Sequence, residues 1–258
     1  MMKYKGYFID LDGTVYAGKK RIPAAKRFIE NLQAQSIPFL FVTNNSTKLP
    51  RDVVADLAQN HDIHVTEDNV YTSGMATADY IAEDAGDPSK TSVYIVGEMG
   101  LYQAILAKGF HLDNVDPNYV VVGLDSDLTY EKLTEAVLAV RNGSVFIGTN
   151  PDTNIPKERG MLPGAGTVVN FVEHASQQEP IMIGKPNAMI LNSALKKIGL
   201  QREDVIMVGD NYNTDIKAGI NANVDTLLVY SGLSTRDEVA KEAIQPTHEI
   251  ESLDDWKL

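Results

Sequence analysis

The chain has 258 residues, with 23 Lys and Arg against 35 Asp and Glu, a formal charge of −12, five His and no Cys. An apolar share of 43% and a charged share of 22% are ordinary globular values and exclude wholesale disorder. The absence of Cys excludes disulfides, zinc–thiolate sites, iron–sulfur clusters and a cysteine nucleophile, and the acidic balance argues against nucleic acid or an anionic membrane as partner.

Along the chain, apolar runs of strand length alternate with segments of helical period. Residues 7–9 and 39–42 read as strands, and each runs into polar residues. Further strands are expected at 92–96, 119–122 and 145–147. Leu133, Ala136, Val137 and Val140 then trace one buried helical stripe that stops near Gly143. Residues 181–183 read as a strand, followed by a helix carrying Leu191, Ala194, Leu195 and Ile198 and ending near Gly199. Residues 205–208 and 226–229 complete the strands, and Ser234-x-x-Asp237 reads as a capping box opening a last helix. Unbroken apolar strands suit a parallel sheet covered on both faces. The pattern therefore predicts an α/β fold, a doubly wound parallel sheet with right-handed crossovers.

No internal repeat or low-complexity tract interrupts the chain. Polar, turn-rich stretches at 84–91 and 174–180 flank about 90 residues with strand–helix units of their own, which suits a second α/β module inserted into the first. The expected division is a core formed by 1–80 and 181–258 with an insert over 81–180. No run approaches the ~18 apolar residues of a membrane span. Asp10 and Asp12 interrupt the N-terminal apolar stretch too early for a signal peptide. The expectation is a cytoplasmic protein.

Four of these strands end in reactive side chains: Asp10 with Asp12 after residues 7–9, Thr43-Asn44-Asn45 after 39–42, Gly184-Lys185 after 181–183, and Gly209-Asp210 after 205–208, with Asp215 behind it. Ligands of open α/β sheets bind beyond the carboxyl ends of the strands, so the four ends are expected to converge. Clustered carboxylates without His or Cys are hard oxygen donors that suit Mg²⁺. A Lys, a Thr hydroxyl and an Asn amide complement an anion rich in acceptor oxygens, of which phosphate is the obvious case. A carboxylate facing a metal-bound phosphoryl group can attack it to form an aspartyl-phosphate that water then cleaves. A second carboxyl two residues along an extended chain points to the same side, where it can protonate the leaving oxygen and later activate the water. Gly13 allows close backbone approach, with its amide expected toward the phosphate.

At these residues the sequence resembles the haloacid dehalogenase superfamily of phosphatases, with a Rossmann-like core. The resemblance rests on Asp10-Leu11-Asp12-Gly13-Thr14, Thr43-Asn44, Lys185, and Gly209-Asp210 through Asp215, in that order. Thr43-Asn44-Asn45-Ser46, Thr72-Ser73-Gly74, Gly148-Thr149-Asn150-Pro151-Asp152, Leu162-Pro163-Gly164-Ala165-Gly166 and Gly184-Lys185-Pro186 extend it to the NagD-like branch of p-nitrophenyl and sugar phosphatases, which carries a large inserted α/β cap domain. The resemblance implies Asp10 as nucleophile and Mg²⁺ ligand, and Asp12 as general acid/base with its backbone carbonyl on the metal. It implies Thr43 and Asn44 on the phosphate, Lys185 neutralising nucleophile and phosphate, Asp210 on Mg²⁺ and Asp215 behind it. Asn150 and Asp152 would contribute to substrate recognition. Sugar phosphates are the first expected substrate, ahead of nucleoside monophosphates and phosphoglycolate-type compounds, and the branch also allows a homo-oligomer.

Other motif readings of the sequence fall short or point to local structure. Asp125-Ser126-Asp127 is expected to cap the helix that carries Leu133. His61 and His64, three apart, lack a third donor for zinc. Gly164-Ala165-Gly166 lacks the third glycine of a dinucleotide fingerprint, and Pro186 after Gly184-Lys185 excludes a P-loop. A phospho-accepting receiver domain and a non-catalytic sugar-phosphate-binding protein are the competing classes. The receiver needs only about half this length and lacks a carboxyl two residues after its phosphorylated Asp.

Overall fold

All four residues of β1 (Gly6–Ile9) are buried, as an apolar strand covered on both faces requires. In the computed structural model, which describes residues 4–157 and 159–258, the chain divides into two units. The first holds residues up to 43, 50–71 and 185–258; the second holds 44–49 and 72–184.

After β1 the chain makes a short antiparallel hairpin, β2 (Tyr16–Ala17) and β3 (Lys20–Arg21), then α1 (Pro23–Ala34), β4 (Phe39–Thr43), α2 (Pro50–His61) and β5 (Val70–Thr72). Proline at the first turn starts α1, where its missing N–H costs nothing, and Ala25, Phe28, Ile29 and Leu32 form its buried stripe.

The second unit follows with α3 (Ser73–Ala85), β6 (Ser92–Val96), α4 (Met99–Ala107), β7 (His111–Leu112), β8 (Tyr119–Val122) and α5 (Tyr130–Arg141). It continues with β9 (Val145–Gly148), the hairpin β10 (Asn154–Lys157) and β11 (Gly160–Pro163), α6 (Ala165–Ser176) and β12 (Ile181–Met182). The chain then returns to the first unit through α7 (Ala188–Ile198), β13 (Val205–Gly209), α8 (Lys217–Ala222), β14 (Asp225–Val229), α9 (Arg236–Val239) and β15 (His248–Ile250).

The six-stranded sheet of the first unit has the order β15-β14-β13-β1-β4-β5. β1 lies parallel to β13 on one side and β4 on the other, with Ile9 opposite both Val208 and Phe41. Strand order reverses between β1 and β13, and the carboxyl ends of strands at such a switch point are where open α/β sheets bind ligands. The second unit has a five-stranded sheet of order β12-β9-β8-β6-β7, with parallel neighbours throughout. Its own core joins Val96, Val120, Val122, Phe146, Val169 and Val172. The α/β doubly wound expectation holds, with helices flanking parallel sheets.

Three local expectations are corrected. Residues 181–182, read as a core strand, pair in parallel with β9 in the second sheet, where both are only half-buried. An edge pairing of two residues leaves too little sequence pattern to say which sheet it joins. The box opening the last helix is Thr235 with Glu238, one residue beyond the expected Ser234-x-x-Asp237, because the Ser234 hydroxyl accepts from the Tyr212 N–H instead. Asp125 does not cap α5; Thr129 does, accepting from the Lys132 N–H at 3.2 Å, while Asp125 accepts from the Asp127 N–H and the Lys132 ammonium.

Candidate active site

Asp10 follows β1 directly, and its backbone N–H donates to the Val208 carbonyl of β13 at 2.9 Å, which fixes it at the switch point. Lys185, the first residue of the returning segment, is buried and reaches across that point. Its ammonium donates to Asp10 Oδ1 at 2.5 Å, to Asp215 Oδ1 at 2.7 Å and to the Val42 carbonyl at 2.9 Å. One carboxylate oxygen from each of Asp10, Asp210 and Asp215 lies within 4.8 Å of the others. Asp215, expected behind the metal ligands, thus offers an oxygen in the same group as Asp10 and Asp210.

The electrostatics follow from burial and crowding. Burial raises the Asp10 carboxyl well above its usual range; Lys185 pulls it down, while Asp215 and Asp210 push it up again. Asp210 is raised to about 6, first by burial and then by Asp215, against hydrogen bonds from the Leu233 N–H and the Thr14 hydroxyl. Burial alone would lower the Lys185 ammonium, but Asp10 and Asp215 outweigh it and hold the group charged beyond the usual lysine range. Three carboxylates face one ammonium, so ionising all of them leaves unbalanced negative charge that a divalent cation would relieve. The donor set is all oxygen, with no soft or imidazole ligand, and this fits Mg²⁺.

Asp210 is held on every side. Its Oδ1 accepts from the Thr14 hydroxyl at 3.0 Å and its Oδ2 from the Leu233 N–H at 2.8 Å. A Cβ on Gly13 would lie 2.2 Å from Oδ2, and Gly13 itself has φ +100°, a conformation only glycine adopts without strain. A Cβ on Gly232 would lie 1.9 Å from the same oxygen. The Ser231 hydroxyl donates to the Gly13 carbonyl at 2.9 Å, and the Ser234 N–H donates to the Asp210 carbonyl. Sequence reasoning missed this loop of residues 231–234. Its place after β14, as the other site residues follow their strands, is the one signal the sequence offers, since no reactive side chain marks it.

Asp12 is exposed, and its carboxylate accepts from the Gly18 N–H at 3.1 Å. The Gly13 N–H, expected toward the phosphate, donates instead to the Tyr16 carbonyl at 2.6 Å, because the turn into the hairpin uses it. Thr43 ends β4 as a buried residue of the first unit.

Within the second unit, Asn44, Asn150 and Asp152 come together. The Asn44 amide donates to both Asp152 oxygens at 3.1 Å, and the Asn150 amide donates to the Asn44 carbonyl at 2.8 Å. Asn150 follows β9 at a strand carboxyl end. His61 is buried and His64 exposed, and His64 lies beyond the end of α2, so the two share no metal site. Among the described residues the only group with metal-ligand geometry is Asp10, Asp210 and Asp215, and no helix is long and apolar enough to cross a membrane.

Comparison with known proteins gives the family. Residues 7–111 match the haloacid dehalogenase-like hydrolase model and residues 182–256 a second model of HAD-like hydrolases. The chain is 48% identical over 256 residues to an acid sugar phosphatase of Staphylococcus saprophyticus, covering 99% of this chain and 97% of that one. It is 45% identical to the 5'-nucleotidase YutF of Bacillus subtilis, covering 99% and 98%. Among solved structures, a thermostable NPPase double mutant from Geobacillus stearothermophilus superposes with a TM-score of 0.92 at 47% identity, covering 100% and 99%. NagD of Escherichia coli superposes at 0.91 with 30% identity, covering 99% of each chain. The chain belongs to the haloacid dehalogenase-like hydrolases, in their NagD-like branch of phosphomonoester phosphatases.

Proposed function

We propose that the chain is a Mg²⁺-dependent phosphatase of small phosphomonoesters, sugar phosphates first, working through an aspartyl-phosphate on Asp10. The observation that carries this reading is the convergence of Asp10, Asp210 and Asp215 on one point, with Lys185 bonded to two of them.

In the first step an Asp10 carboxylate oxygen attacks phosphorus and the P–O ester bond breaks. Its electron pair goes to the leaving oxygen, which takes a proton from the Asp12 carboxyl. In the second step Asp12 takes a proton from water, whose oxygen attacks phosphorus. The bond to Asp10 breaks and inorganic phosphate leaves. Asp10 and Asp210 would hold Mg²⁺ with the Asp12 carbonyl, and the close approach of Asp215 supports a place beside them. When bound, the ion screens charge on the phosphoryl oxygens. Lys185 fixes one oxygen of Asp10 and supplies positive charge, with Thr43 and Asn44 binding the phosphate. The core chemistry belongs to the first unit. Specificity belongs to the inserted cap, in which Asn150 and Asp152 are the proposed recognition residues.

The name of the 48% identical relative favours sugar phosphates; that of the 45% identical one supports nucleoside monophosphates as the second reading. Phosphate release from sugar phosphates, nucleoside monophosphates and phosphoglycolate, with Mg²⁺ and with a chelator, tests both. The expected outcome is Mg²⁺-dependent turnover that is fastest on a sugar phosphate. Asp10→Asn should lower it by about 10⁴-fold or more, as expected for loss of a nucleophile. Undiminished hydrolysis in that variant would overturn the mechanism.

A further inference from the structure

His61 has no part in the chemistry above, yet it is buried at the end of α2. Its imidazole stacks on the Tyr16 ring, with centroids 4.4 Å apart and planes 15° from parallel. Tyr16 opens the hairpin β2–β3, in which it pairs with Arg21. The Arg21 guanidinium Nε in turn donates to the Asn60 carbonyl at 2.5 Å. Two consecutive residues at the end of α2 therefore hold the two strands of the hairpin, one each.

The hairpin reaches Asp12 in two ways. The Gly18 N–H in its turn donates to Asp12 Oδ1, and Tyr16 forms a backbone bridge with Asp12. A hairpin with two residues per strand has little stability of its own in water, so its position depends on what it docks against. Asp12 is exposed, and no core packing fixes its rotamer. Burial, then the carboxylates of Asp12, Asp10 and Asp56, raise the Tyr16 phenol above its usual range, so the ring stays neutral beside these acids.

We propose that the His61–Tyr16 stack is a positioning device that orients the Asp12 carboxyl for proton transfer to the leaving oxygen. The proposal rests on the reading of Asp12 as general acid. His61 acts through the hairpin and touches no substrate.

The test uses leaving groups that differ in their need for a proton. An alkoxide leaving from a sugar phosphate needs one; p-nitrophenolate is stable without it. kcat/KM on a sugar phosphate and on p-nitrophenyl phosphate is measured for the native chain, Asp12→Asn, His61→Ala, His61→Phe, Tyr16→Leu and the His61→Ala/Tyr16→Leu pair. General acid catalysis contributes about 10²- to 10⁴-fold, and loss of orientation should remove part of it. The expected result for His61→Ala is a drop of about tenfold to a hundredfold on the sugar phosphate and under about threefold on p-nitrophenyl phosphate. His61→Phe, which keeps a flat ring, should restore both to within about twofold. Tyr16→Leu should show the same split as His61→Ala, and the double variant should lose no more than the worse single variant. Should His61→Ala fail to fold, Tyr16→Leu at the half-exposed end of the stack carries the test alone.

Equal losses on both substrates in the stack variants, with a split in Asp12→Asn, would overturn the proposal and leave the stack a packing contact. No split in Asp12→Asn would instead remove the general-acid reading, and the proposal with it.

Discussion

The carboxyl ends of β1 and β13 and the carboxyl end of β9 are built alike and furnished differently. Each is a parallel strand running buried into polar residues at one end of an α/β sheet. In the first unit those residues are Asp10 and Asp210, each raised in pKa by burial and by neighbouring carboxylates, with a buried Lys185 bonded to Asp10 and Asp215. In the second they are Thr149 and Asn150, leading to Asp152, whose carboxylate accepts from the uncharged Asn44 amide and whose backbone N–H donates to the Asn150 side-chain oxygen. A reaction that develops charge at phosphorus constrains both the type and the sign of its side chains. Recognition of a leaving group, the role proposed for the second, constrains shape and hydrogen-bonding pattern, and leaves the type of side chain open.

That contrast can be broken most directly at Lys185. Lys185→Met keeps much of the volume but strands two carboxylates in a buried site, which costs about 3–5 kcal/mol when one partner of a buried pair is removed. Chemical denaturation should show that loss together with loss of turnover. An unchanged midpoint would mean that charge balance does not hold the first site together.

The pH dependence of the metal-free chain sharpens the same point. Asp210 has a folded-state pKa of about 6, above its unfolded value near 3.9, so the protonated carboxyl stabilises the fold. That stability is fully present below about pH 4 and is lost as pH rises through about 6, over a range worth at most roughly 3 kcal/mol. Thermal melts in chelator should therefore fall over this window, Asp210→Asn should flatten the fall, and Mg²⁺ should reverse it. A profile identical in native and variant chains would remove Asp210 as the source.

The smallest effect belongs to the second unit. Asp152→Ala should leave kcat on the best substrate within a few-fold and change the ratio of kcat/KM between sugar phosphate and nucleoside monophosphate by about tenfold, the scale of one recognition contact. A uniform loss on every substrate would place Asp152 with the catalytic group instead.

Much of the fold was legible because its strands are long, apolar and bounded by turn residues. β1, β4, β13 and β14 lie where the apolar runs lie, and α7 ends at Gly199 in the left-handed conformation that glycine accepts. β12 lies in the second sheet and not, as its apolar run suggests, in the first, because two half-buried residues carry almost no periodicity. The caps at Thr129 and Thr235 lie two to four residues and one residue beyond the expected positions for a related reason. Several Ser, Thr and Asp residues cluster before each helix, and only tertiary hydrogen bonds decide which one caps. In the site, Asp10, Lys185 and Asp210 announced themselves at strand ends. The loop at 231–234 did not, since a backbone N–H and a glycine that makes room for a carboxylate leave no reactive side chain to notice. The Tyr16–His61 stack was equally hidden, as a ring contact between residues 45 apart in the chain has no sequence pattern.

The bond from Lys185 to Asp10 joins residues 175 positions apart. Contacts of that separation require closure of a long loop, and the entropic cost of closure is met before the contact returns anything. An inserted unit that folds first exchanges that flexible loop for a fixed connector. The order in which the two units fold thus bears directly on how fast the charged site assembles, and recovery of hydrolysis during refolding measures the meeting of distant segments rather than the growth of any one strand.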